Sequence, residues 1–492
     1  MPGGPTGKAE VTGLPGSVAE VEAWGWGGPA RMSAWESLMW RSDGDPRTRS
    51  AGLLLELLDS APDWERLLRA HDRATQVIPR LRERVVEPTV PVTTPAWTTD
   101  TRFDLSYHVQ RVRLPAPGSM RELLELAANV AARPLDHNRP PWEALLVEGL
   151  DTGGAAYLLK LHHSLSDGLG IVQLLGMAHS RRSEPGGQPL AGLHPAPDRS
   201  TGDAPTPTGL VTGEILDEIT DIPARARATA TSALGVLGRI LVHPAGTVNQ
   251  ALDYGLSLRR VLSPPACERS PLLSRGGGFG YRLLTYDMTL EQVKATGKAV
   301  GGSVNDVFLA GILGAFRRYH EAFGQPLESM PISIPISLRV AGDPAGGNKW
   351  AGVRLVAPVG EPDPTRRIHL VHDLIRTARH EPAIAFAELL APAFNRLPAA
   401  VLTEIAGRAT KVADVQASNV PGLDYPAYLA GARVTRTYAI GPRPGVAAMI
   451  TMVTYDGICC LGINIDPDSI TDVVVFERCL HEGFEEVLAL GR

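Results

Sequence analysis

The chain has 492 residues, 44% of them hydrophobic, a length that buries a sizeable core and exceeds one ordinary domain, so two domains are expected. A net charge of −5 at pH 7, with Lys and Arg scattered rather than clustered, supplies no basic field and argues against a nucleic-acid partner. Four cysteines form no disulfide framework, the Gly- and Pro-rich N-terminus lacks the apolar core of a secretion signal, and no apolar run approaches the ~20 residues of a membrane span, so a reducing cytoplasm is the expected setting.

Residues 1–31 show no sustained period and read as a mobile arm, with Trp24 and Trp26 able to dock. Residues 32–40 predict a short helix, 53–57 a buried strand, and 63–80 an amphipathic helix started by Asp63. Residues 103–114 alternate as a strand, and Ser119 with Glu122 forms a capping box for a helix through Ala132. A strand over 143–147 then pairs, through the Asp151-Thr152-Gly153-Gly154 turn, with the next strand.

That next stretch, AAYLLKLHHSLSDGLGIVQLLGMA over residues 155–178, organises the chain. Tyr157, Leu159 and Leu161 alternate with Ala156, Leu158 and Lys160, and the period of two sends His162 and His163 to opposite faces. Asp167 precedes Gly168 and the apolar run Ile171, Val172, Leu174, Leu175, the position of a helix N-cap.

Residues 181–222 collect Pro, Gly, Ser, Thr and Asp and read as an interdomain crossover. Over 223–264, Leu237, Ile240, Leu241, Leu252, Leu256 and Val261 recur at helical spacings. Their apolar face either packs on the core or, given Arg225, Arg227, Arg239, Arg259 and Arg260, docks on a lipid surface. Strands are predicted over 281–287, 330–337, 350–356, 433–441, 446–454 and 457–465, with Tyr455-Asp456-Gly457 as a hairpin turn. Helices capped by Thr289 and Ser303 and an amphipathic helix over 471–490 complete a second α/β unit. The domain boundaries that follow are 1–31 for the arm, 32–180 for the first domain, 181–270 for the crossover with its amphipathic helices, and 271–492 for the second domain.

No metal site is expected: the helical HExxH pattern is absent and no cysteines stand in a C-x-x-C pair. No G-x-S-x-G elbow marks a serine nucleophile, and Ser164 and Ser166 sit in a turn where capping is the default role. Gly276 to Gly280 is followed by a strand and by no Gly-Lys-Ser/Thr, so it reads as a flexible loop rather than a phosphate cradle.

HHSLSDG (162–168) resembles the HHxxxDG motif of CoA-dependent acyltransferases with the chloramphenicol acetyltransferase-like fold, and in detail the chain resembles the bacterial wax ester synthase/diacylglycerol acyltransferase family. RPLDHNRPPWEALLVEGL (133–150) is similar to the family's PLDxxRPLW block, and SVNDVFLAGILGAFRRY (303–319) to its ND block. PISLRVAGDPAGGNKWAG (335–352) and ASNVPG (417–422) match its later blocks, so the resemblance runs from about Met32 to the C-terminus. Pro141 stands where the family usually has Leu.

The resemblance implies two such α/β domains, each a mixed sheet flanked by helices, joined by a crossover, with the active-site channel at their interface. It implies His163 as the base, because the second His of the motif has that role in the resembled fold, with His162 as support. Asp167 orients the turn, with Arg339 as its expected charged partner, and the Asn305 amide is a candidate donor to substrate or oxyanion. Gly168, Trp142, Ser303, Asp306 and Arg339 are the further substrate-side candidates. The implied reaction moves a long-chain acyl group from acyl-CoA to a fatty alcohol or diacylglycerol by direct attack in a ternary complex, without a cofactor. A peripheral place on the inner membrane or lipid inclusions is expected. A condensation-type enzyme using carrier-bound acyl chains and a non-catalytic lipid-droplet protein are the alternatives.

Overall fold

A computed structural model of the chain describes residues 28–184, 205–212, 267, 269–273, 280–337, 350–379, 394–410 and 413–492. The expected helices over 223–264, the glycine-rich 276–279 and Arg339 lie outside them.

The first half opens with α1 (Ala34–Ser42), started by a Ser33/Glu36 capping box, and continues through β1 (Ala51–Leu58) to α2 (Trp64–Val77), whose first turn is capped by Asp63. A small hairpin follows, β2 (Glu83–Val86) with β3 (Ala96–Thr99), whose alternation is too short to be legible in sequence. The strand expected over 103–114 begins late. Asp104 accepts the Ser106 N–H at 2.9 Å and starts a one-turn helix, Leu105–His108, so that only β4 (Val109–Arg113) is extended. Then come α3 (Met120–Ala132) with its Ser119/Glu122 box, the antiparallel pair β5 (Trp142–Glu148) and β6 (Ala155–His162), and α4 (Gly168–Ala178). The end of the expected arm is docked, since Trp97 N–H donates to the Ala30 carbonyl at 2.7 Å.

The second half contributes β7 (Arg282–Thr289), α5 (Leu290–Val300), α6 (Val304–Ala322), β8 (Met330–Ser337), β9 (Trp350–Ala357), α7 (Pro364–Arg379), α8 (Ala399–Thr410) and β10 (Val415–Pro421). It closes with β11 (Tyr428–Leu429), β12 (Ala432–Ile440), β13 (Ala448–Tyr455), β14 (Ile458–Ile465) and α9 (Val473–Leu488). The β13–β14 turn has positive φ at Asp456 and Gly457, as a two-residue hairpin with the strands' own twist requires.

Two six-stranded mixed sheets result, ordered β11-β12-β1-β6-β5-β4 and β7-β14-β13-β10-β8-β9. They do not divide the chain at a single point: β11 and β12, late in the sequence, belong to the first sheet, where β12 pairs antiparallel with β1. A strand from the second half thus completes the sheet that carries His162. β12 also touches β14, the strand beside the edge strand β7 of the second sheet, where a Cβ on Gly462 would fall 2.2 Å from the Ala439 carbonyl oxygen, so glycine is required for that approach. The second sheet packs on α6 and α9, whose Phe308, Phe316, Phe476 and Phe484 fill its core. Among the described residues, no single helix is long and apolar enough to cross a membrane.

Candidate active site

β6 is buried along its whole length, lying between β1 and β5. Ala155, Tyr157, Leu159 and Leu161 face the core shared with α2 and α4, whereas Ala156 and Leu158 face the core beneath α3. This parity continues past the strand end. His162 N–H donates to the Pro141 carbonyl on one flank at 3.0 Å, and His163 N–H to the Ser50 carbonyl on the other at 2.9 Å. The two imidazoles therefore leave the chain in different directions.

His162 is fully buried. Its Nδ1 accepts the Ser164 N–H at 3.1 Å and stands 2.8 Å from Ser164 Oγ, its Nε2 lies 3.3 Å from Asp43 Oδ1, and Trp40 meets the ring edge-on at 5.1 Å between centroids. Asp43 itself is 3% exposed; it accepts the Ser50 N–H at 2.8 Å and stands 3.3 Å from His137 Nε2. Burial alone would raise its pKa, but the hydrogen bonds with His137, His162 and Ser50 outweigh that and hold the carboxylate well below its usual range.

His163 is half-buried, and Nε2 stands 3.8 Å from where a Cβ on Gly52 would be, so the missing side chain of Gly52 leaves room beside that nitrogen. Burial, with the nearby His162, pushes the imidazole pKa down to about 4 against the opposing pull of Asp167 and a hydrogen bond to the Ser166 backbone. The ring is neutral at pH 7 and able to accept a proton.

Asp167 is 6% exposed and caps α4, accepting the Gly170 N–H at 3.0 Å. Its expected partner Arg339 lies outside the described residues. Gly168 meets the second sheet: its added Cβ would be 3.0 Å from Val420 Cγ2 in β10, within the ASNVPG block. This contact brings the histidine turn and the late block together.

Other expected residues have structural partners. Trp142, expected on the substrate side, is 2% exposed, donates Nε1–H to the Leu81 carbonyl at 2.8 Å and stacks on His108 at 4.6 Å. It lies on the core side of β5, because burying an indole is favourable once its N–H has an acceptor. Ser303 and Asp306, expected in the same role, form the capping box of α6: Asp306 Oδ2 accepts from Ser303 N–H at 2.8 Å and Ser303 Oγ–H at 2.7 Å, and also contacts His372 Nδ1 at 2.9 Å. The first-turn amides of a helix need acceptors, and that need occupies both side chains. Asn305 is half-buried on the same first turn.

Asp43 and Ser50 were not legible as site residues, since they precede His162 by more than a hundred positions and stand in a polar connection between α1 and β1. A second buried cluster lies on the His163 side of the sheet. His179 Nε2 contacts Glu56 Oε2 at 2.8 Å, and His71 Nε2 contacts the Tyr157 hydroxyl at 2.6 Å. These groups anchor α4 and α2 to β1 and β6. Among the described residues, no group of His, Cys, Asp and Glu side chains is arranged to hold a metal ion.

Solved structures share this two-sheet arrangement. A wax ester synthase/diacylglycerol acyltransferase from Marinobacter aquaeolei VT8 superposes with a TM-score of 0.59 at 20% identity, covering 96% of this chain and 98% of its own. The first condensation domain of the calcium-dependent antibiotic synthetase gives 0.58 at 17% identity over 94% and 97%. At these identities the likeness is one of fold, and it places the two mixed sheets and their helices in the chloramphenicol acetyltransferase-like α/β class.

Sequence narrows the class. Residues 32–308 match the wax ester synthase/diacylglycerol acyltransferase catalytic domain, and residues 346–488 match the C-terminal domain of the same family. A Mycobacterium tuberculosis protein, named provisionally as a diacylglycerol O-acyltransferase, is 40% identical over 92% of this chain and 91% of its own. Another from that organism, named in the same way, is 28% identical over 94% and 98%. The chain belongs to the wax ester synthase/diacylglycerol acyltransferase family and is an acyltransferase.

Proposed function

We propose that this enzyme transfers a long-chain fatty acyl group from acyl-CoA to the hydroxyl of a fatty alcohol or a diacylglycerol, forming a wax ester or a triacylglycerol. The observation that carries this reading is the His163 imidazole, kept neutral by burial with its Nε2 beside the side-chain-free Gly52. His163 takes the proton of the acceptor hydroxyl as its oxygen attacks the thioester carbonyl. The tetrahedral oxyanion collapses with departure of CoA thiolate, a good leaving group that needs little assistance, and the thiolate takes the proton back from the His163 imidazolium, restoring the neutral base. The Asn305 amide is the proposed oxyanion donor and Arg339 the proposed partner of Asp167. The acceptor attacks directly in a ternary complex, without an acyl-enzyme. The relatives' names, which specify diacylglycerol O-acylation, support the diacylglycerol acceptor.

The place of work is the cytoplasmic face of the membrane or a lipid inclusion, where such acceptors reside. Incubation of purified enzyme with labelled palmitoyl-CoA and either hexadecanol or diacylglycerol, followed by lipid chromatography, should yield labelled ester. Absence of ester with both acceptors would sink the assignment.

A further inference from the structure

Asp43 reaches both histidines of the HHxxxDG turn by different routes. Its Oδ1 lies 3.3 Å from His162 Nε2 and also accepts the Ser50 N–H at 2.8 Å. The carbonyl of Ser50 in turn accepts the backbone N–H of His163 at 2.9 Å. A closed circuit therefore runs from the carboxylate through the His162 ring to the turn, and back through His163 and Ser50.

The state of the His162 ring follows from its other nitrogen. A backbone N–H can only donate, and Ser164 N–H points at Nδ1 at 3.1 Å, so Nδ1 carries the lone pair and the ring proton sits on Nε2, facing Asp43. At 3.3 Å the contact is longer than a short hydrogen bond, yet Asp43 is 3% exposed and His162 fully buried, so water cannot replace either partner. A carboxylate buried this deeply is costly unless several donors serve it. The Ser50 N–H donates to it at 2.8 Å, and the His162 and His137 rings each face it at 3.3 Å.

The carboxylate is also tied to the second half of the chain. Asp43 follows the last residue of α1, and α1 is clamped by residues 395–397: Ser37 Oγ donates to Asn395 Oδ1 at 2.7 Å, Asn395 Nδ2 to the Ala34 carbonyl at 2.7 Å, and Arg41 to the carbonyls of Asn395 and Leu397. The position of Asp43 is thus set by elements outside the histidine turn.

We propose that Asp43 is a positioning residue of the acyl transfer: it faces and orients the Nε2–H of His162 and, through Ser50, fixes the backbone from which His163 projects. It touches no substrate. The proposal rests on the reading of His163 as the base, and its role is to keep that imidazole in register with the reacting hydroxyl.

The test pairs a spectroscopic readout with kinetics. In wild-type enzyme labelled with 15N-histidine, with His162 assigned by its loss in His162→Gln, the ring should show a protonated Nε2 and an unprotonated Nδ1. In Asp43→Ala the Nε2–H should lose its acceptor, so that its proton resonance moves upfield, and in Asp43→Asn, which keeps an acceptor oxygen, it should move less. Turnover number should fall by about ten- to a hundredfold, the range for a partner that orients a functional imidazole, with KM for palmitoyl-CoA unchanged within about twofold. Asp43→Asn, which keeps one acceptor oxygen, should retain more turnover than Asp43→Ala. A wild-type His162 protonated on Nδ1 would overturn the proposal, and that measurement needs no variant to fold. Wild-type turnover in a folded Asp43→Ala would overturn it equally. An active His163→Ala would refute the assignment of the base while leaving the tautomer result standing.

Discussion

Gly168, the first residue of α4, packs directly against Val420 of β10, a Cβ at that position standing 3.0 Å from Val420 Cγ2. The turn that carries the histidines is therefore seated on the second sheet by a contact with no spare room. Gly168→Ala should force Val420 aside, cost about 1–3 kcal/mol as overpacking does, and slow turnover. The double variant with Val420→Ala should recover melting temperature. Thermal melts of the three variants measure this, and full stability in Gly168→Ala alone would contradict the contact.

The two histidines should separate on substitution. His163→Ala should lower turnover by roughly 10²–10⁴-fold with acyl-CoA binding nearly intact, because it deletes the proton acceptor. His162→Ala should keep partial activity but lose stability, because the buried carboxylate of Asp43 is left with one donor fewer. Equal kinetic losses with equal melting temperatures would argue against distinct roles.

The pH dependence has a definite sign. Burial pushes His163 down to about 4, and His71 likewise to about 4, so between that value and the usual 6.5 the unfolded chain binds protons that the folded chain refuses. Stability from these groups is full above about pH 6.5 and is lost as pH falls toward 4. Turnover should stay level through neutrality and drop only near pH 4, where His163 protonates. Denaturant titrations of wild type and His163→Gln over this range should show a shallower fall for the variant. A rate that halves near pH 6.5 would mean an unperturbed imidazole.

Trp142→Phe tests whether the buried indole contacts substrate. Removing Nε1–H orphans the Leu81 carbonyl, 2.8 Å away, and should cost about 1–3 kcal/mol of stability. Acyl-chain preference should not move. A changed chain-length profile measured with a series of acyl-CoAs would return Trp142 to the substrate wall.

If the basic, apolar segment over 223–264 meets lipid, the enzyme should sediment with anionic vesicles, less so at high salt. Each arginine near such a surface contributes about 1 kcal/mol. Changing Arg225, Arg227, Arg239, Arg259 and Arg260 to Gln should release it. Unchanged sedimentation after that replacement would exclude these residues as the anchor.

Local chemistry was legible in the sequence wherever the structure satisfies it locally. The caps at Asp63, Ser119, Asp167, Thr289 and Ser303 are each written within three residues of the amide they serve, and strand parity from Tyr157 to Leu161 already separated His162 from His163. The HHxxxDG turn could be read for the same reason, since its cap and its two imidazoles are neighbours in the chain. Alternation failed at 103–114, where the Asp104 side chain offered the backbone a competing hydrogen bond. Tertiary structure alone decided which distant groups meet that turn. Nothing in the periodicity of 432–440 tells a strand of the second sheet from one that pairs with β1, because both bury an alternating face. Nothing about Asp43 in its polar connection marks it as the carboxylate that faces His162, because a charge declares its partner only when burial removes water as the alternative.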